Sequence, residues 1–145
     1  MSWIKPNFLW MMYRSGWGCK PGQEVILAVR LHRQFFDKVL QQAVPSSFDH
    51  NRYSNHTQWK QAVQNSNVRL QWDPDHDPSG RKESRRAVQL GLRGTMLEEY
   101  SKSAIVEIID VSDFVRQQRL NIHDARYAEL VTPREEVVNH AFNLA

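Results

Sequence analysis

Residues 8–14 read FLWMMYR: six consecutive large apolar or aromatic side chains closed by one arginine. No strand or amphipathic helix places such a run with one face in water. If the run is helical, apolar groups occupy every side, so the helix must be covered all round by its own fold or by a partner. Asn7 can cap it and Gly16 can stop it, which predicts a short helix over Phe8 to Ser15. It is too short for the ~20 apolar residues of a membrane span. It also lacks the small-residue cleavage pattern of a secretory signal.

The rest of the 145 residues supplies elements to do the covering. Lys20-Pro21-Gly22-Gln23 is a turn. Val25 to Leu31, VILAVRL, has the continuous aliphatic pattern of an interior strand covered on both faces. Phe35, Phe36, Val39, Leu40 and Ala43 recur at helical spacing, predicting a helix from Arg33 to Val44 that Pro45 ends. Trp59, Ala62 and Val63 mark a second helix, with Ser54 or Asn55 as its cap.

Val68, Leu70 and Trp72 alternate with Arg69 and Gln71 as in a half-buried strand. A long charged loop, DPDHDPSGRKESRR, is expected next, then a strand over Ala87 to Leu92. Thr95 and Glu98 form a T-x-x-E capping box. IVEIIDV, 105–111, is a further strand, Ser112 can cap the helix after it, and Asn121 with Asp124 suggests another cap. Strands and helices are interspersed without strict alternation. The reading is an α+β single domain, with a mixed or antiparallel sheet of about four strands packed with short helices.

Charge and chemistry narrow the function less. A net charge of +3 is a small basic excess, compatible with an anionic partner such as a nucleotide or nucleic acid. One cysteine, Cys19, excludes an internal disulfide and fits a reducing, cytoplasmic setting. With Lys20 beside it but no histidine within ten residues to act as its base, Cys19 is a poor candidate for a nucleophile. Asp73, Asp75, His76 and Asp77 resemble metal ligands by type. A calcium loop counted from Asp73 would need glycine and glutamate where Pro78 and Ser84 stand, so no metal site is assigned. The six histidines (His32, His50, His56, His76, His123, His140) contain no H-x-x-x-H pair.

The remaining candidates are cations and indoles. Arg14, Trp17, Lys20, Trp72, Arg85 and Arg86 would form a ligand cleft if the fold gathered them, arginine gripping phosphate and tryptophan stacking a base. Arg81, Lys82 and Arg93 belong to the same basic stretch, whose alternative reading is a solvated loop. Arg14 could equally bond the free carbonyls at its helix end.

SWIKPNFLWMMYRSGWGCKPGQEVILAVRL, with VRLQWDPDHDPSGRKESRRAVQLGL and SAIVEIIDVSDFVRQ, resembles the domain-of-unknown-function 4291 family over nearly the whole chain. The resemblance implies a fold and assigns no reaction. Relatives carry a further stretch before this point, including a strand of the type T-I-V-V-Y-Q-A-Y. The chain is therefore expected to be an N-terminally shortened member, with a sheet edge and apolar surface left open. Two functions stand beside each other: a nucleotide- or nucleic-acid-binding module, and a nucleotide-dependent enzyme of ADP-ribosyltransferase type. The enzyme would use NAD, with Glu107 as its acceptor-orienting carboxylate. An inactive structural or interaction domain is the third reading.

Overall fold

The computed structural model describes residues 1–138. The end of the chain, His140 included, lies outside the described residues. Among the described residues, two sheets and five α-helices make an α+β fold. The larger sheet has the order β1-β5-β4-β3, from β1 (Ser2–Ile4), β3 (Ala43–Pro45), β4 (Val68–His76) and β5 (Lys82–Leu92). It is mixed: β1 and β4 run antiparallel to β5, and β3 is parallel to β4. The smaller sheet pairs β2 (Leu27–Leu31) with β6 (Ile105–Asp110), antiparallel. The helices are α1 (Phe8–Ser15), α2 (Arg33–Gln41), α3 (His56–Asn65), α4 (Gly94–Glu99) and α5 (Ser112–His123).

Alternation decides which face of the large sheet is covered. Val68 and Leu70 on β4 and Leu90 and Leu92 on β5 point to one side, where Phe35, Val39 and Leu40 of α2 and Met96 of α4 meet them. A second core joins α1 to α5 through Met12, Trp17, Ile26 and Val115. No apolar side chain of α1 is exposed, as a helix apolar all round requires.

Neither Asn7 nor Ser112 caps its helix through its side chain: Asn7 Oδ1 instead accepts from Val88 N, and Ser112 Oγ accepts from Ile26 N. Four further local expectations change. The helix expected to reach Val44 stops at Gln41, because residues 43–45 pair with β4 as a third strand. The charged stretch after Trp72 is not a loop. β4 runs on through Pro74 to His76, β5 begins at Lys82, and the turn between them is five residues. Arg86 takes its place in the ladder opposite Pro74, and the register shifts just beyond, where proline has no N–H to give. The T-x-x-E box does not form, since Thr95 Oγ1 instead accepts from Asn67 Nδ2 at 2.9 Å. Finally, β2 is not an interior strand. Leu27 is 51% exposed, and its partner strand exposes Val106 and Ile108 by 50% and 55%.

Among the described residues, no helix is long and apolar enough to cross a membrane.

Candidate functional site

The six candidate residues fall into two groups. Arg14, Trp17 and Lys20 sit at the C-terminal end of α1. Gly16, Trp17 and Gly18 take successive positive φ values of 58°, 54° and 70° there, reversing the chain tightly. A left-handed tryptophan costs roughly 1–2 kcal/mol and persists only where packing repays it. The packing is edge-on contact with Phe8 and Tyr13, ring centroids 6.2 and 5.8 Å away, inside the second core. Trp17 is 4% exposed, so its indole is a core side chain rather than an open stacking surface. A free carbonyl at the helix end, that of Arg14, is bonded by Lys20 Nζ at 2.6 Å.

Trp72, Arg85 and Arg86 belong to the β4–β5 hairpin. Trp72 packs half-buried against the first core, and its carbonyl accepts from Arg86 Nη2 at 3.1 Å. Arg85 grips Asp75 Oδ2 through Nε at 3.0 Å and Nη2 at 2.8 Å. Asp75 is 1% exposed, and Asn7 Nδ2 also reaches Oδ2, at 3.4 Å. Asn7 Oδ1 accepts from Val88 N, tying the start of α1 to the edge of β5 where β1 leaves off. Asp75 and Arg85 are thus a buried carboxylate and its counter-ion, a clamp between hairpin and helix.

The remaining acids of that stretch are also engaged. Asp73 accepts from Gln89 Nε2 at 2.5 Å. Asp77 accepts from Ser79 Oγ, Ser79 N and Arg81 N, bonds that hold its carboxyl down to about 2, the serine hydroxyl contributing most. Among the described residues, no three His, Cys, Asp or Glu side chains form a metal-binding group.

A concave site lies elsewhere. A cavity of about 470 Å³ opens between β1, α1 and β2, a volume in the range of small-molecule sites. Trp3, Phe36 and Tyr100 give it aromatic walls, and Met11 and Val29 add apolar surface. None of the six candidates lines it.

Two cations do. Arg33 is held by Asp37, with Nε 2.8 Å from Oδ1. Lys5 is half-buried and, among the described residues, its ammonium has neither an ion pair nor a hydrogen bond. Burial, and then the guanidinium of Arg14, push Lys5 below its usual value. Arg14 stands three residues beyond Met11 on α1, near enough for its charge to act on Lys5.

The signal for Lys5 was present in W-I-K-P, a lone cation set among aromatic and apolar residues, but nothing in the order of residues shows that it lacks a carboxylate.

A family described as a domain of unknown function (DUF4291) matches residues 1–138. The chain belongs to the DUF4291 family. No curated protein and no solved structure matches it. The DUF4291 match includes β1, α1 and β2, and so the whole cavity wall.

Proposed function

We propose that this protein binds a small anion with a flat apolar body, the chemistry of a mononucleotide, in the cavity between β1, α1 and β2. The observation that carries the reading is Lys5: a half-buried ammonium without a counter-ion among the described residues, on the wall of an aromatic cavity, with a second cation beside it. An unpaired, partly desolvated charge costs free energy in the empty protein, and an anionic ligand removes that cost. Trp3, Phe36 and Tyr100 offer the faces on which a base can stack. Binding rather than group transfer is favoured because Glu107, on β6, is held by Arg30 Nη1 at 2.8 Å and does not line the cavity. The single exposed thiol accords with action in a reducing cytoplasm.

Calorimetric titration with AMP and ATP at low salt tests the reading. Wild type binds and Arg86→Ala binds equally. Lys5→Met weakens the affinity about tenfold or more, the loss of one charge-assisted contact. Absence of binding, or equal binding by Lys5→Met, contradicts it.

A further inference from the structure

The small sheet is incomplete as it stands. Two antiparallel strands alone are marginal in water, and stable sheets have three or more strands or a covering layer. Here Leu27, Val106, Ile108 and Ile109 are all more than a third exposed, and both outer edges are unpaired among the described residues.

The hydrogen bonds fix which groups of β2 face outward. Val111 N donates to Ile26 O and His32 N to Ala104 O, both at 2.9 Å. Main-chain groups alternate in direction along an antiparallel strand, so residues 26, 28, 30 and 32 address β6. Leu27, Val29 and Leu31 therefore turn their N–H and C=O groups to the open edge.

We propose that a second copy of this chain occupies that edge, β2 against β2, antiparallel, with the two-fold axis at Val29. This register pairs every outward group, giving about six main-chain hydrogen bonds. It sets Leu27 opposite the partner's Leu31 and Val29 opposite the partner's Val29.

Charge favours identical copies. Arg30, the one charged residue of β2, faces the partner's Ala28 rather than another cation, and Glu107 already neutralises it at 2.8 Å. The edge has neither proline nor lysine, and the bulge in its pairing with β6, between Arg30 and Leu31, places the extra residue, Val106, on β6. The outer edge of β6 fits less well, because the register slips at Val106 and Glu107 and Asp110 are both acidic. The dimer would carry one four-stranded sheet, β6-β2-β2-β6.

The register supplies its own test. Ala28→Arg puts like charges opposite each other twice across the axis, and Ala28→Glu puts opposite charges there. Light scattering and sedimentation on the full chain, with circular dichroism as the fold check, should give wild type at twice the 17.0 kDa chain mass. Ala28→Arg should raise the dimer dissociation constant about tenfold, from two like-charge pairs. Ala28→Glu should stay dimeric or tighten. A monomeric wild type, or equal responses of the two variants, overturns the proposal.

Discussion

Replacing Arg85 by alanine removes the counter-ion of a carboxylate that is 1% exposed. Asp75 would keep the weak Asn7 contact at 3.4 Å and the His76 N–H at 2.9 Å, and lose both guanidinium bonds. Breaking a fully buried ion pair costs about 3–5 kcal/mol. The Arg85 side chain is 59% exposed, so water reaches the vacated side and the cost falls to about 2 kcal/mol. For a chain of this size that is roughly 6–8 °C in midpoint temperature. Asp75→Asn keeps the shape and leaves an exposed guanidinium free to rehydrate, costing about 1 kcal/mol. The two residues share one contact, so the double variant should lose less than the sum of the single ones. Urea unfolding followed by tryptophan fluorescence measures all three. If Arg85→Ala unfolds within about 0.5 kcal/mol of wild type, the surface-substitution range, the clamp is not structural and Arg85 returns to the list of ligand residues.

Three further outcomes follow from the same geometry. Gly80 has φ +86°, and a Cβ there would lie 2.7 Å from Tyr13 Cε1, while the Tyr13 hydroxyl is tied to Pro78 O at 2.5 Å. Gly80→Ala should therefore cost about 2–3 kcal/mol, whereas Gly22→Ala, at φ +74° with nothing within 4 Å, should cost about 1 by the same denaturation assay. Asp77 is depressed to about 2, so the order it gives the hairpin turn is present above the ordinary carboxylate range and is lost as pH falls through about 2. The amide signals of Ser79 and Gly80 should hold their positions down to about pH 3, and movement near pH 4 would contradict the assignment. Lys5→Met should leave the empty protein as stable as wild type or slightly more so, by thermal unfolding, because it removes an unpaired ammonium and keeps its apolar stem. A marked loss of stability would show that Lys5 has a structural partner.

The parts of the fold legible in the sequence were those that local chemistry dictates. The six-residue apolar run had to be covered, and its glycine stop is the left-handed C-cap of α1. Asn55 caps α3 through its side chain, which accepts from Gln58 N. The hairpin was hidden because charges and prolines read as loop, yet Lys82 to Arg86 project into water along a strand whose pairing holds them. β2 was misread because an unbroken aliphatic run looks the same whether neighbours cover it or leave it open. Side-chain identity suggested which residues could grip an anion, but not which were already committed. Arg85 finds Asp75 ten residues back across a hairpin, and Trp17 turns inward through a backbone conformation rare for tryptophan. Lys5 became a candidate only once its surroundings were known.

Nuclear magnetic resonance titration of the labelled chain with ATP reports most directly where an anion settles. Shifts that saturate together at Trp3, Lys5, Met11 and Tyr100 are the predicted result. Saturable shifts confined to Arg85, Arg86 and the β4–β5 turn, with the cavity walls unmoved, would contradict the account.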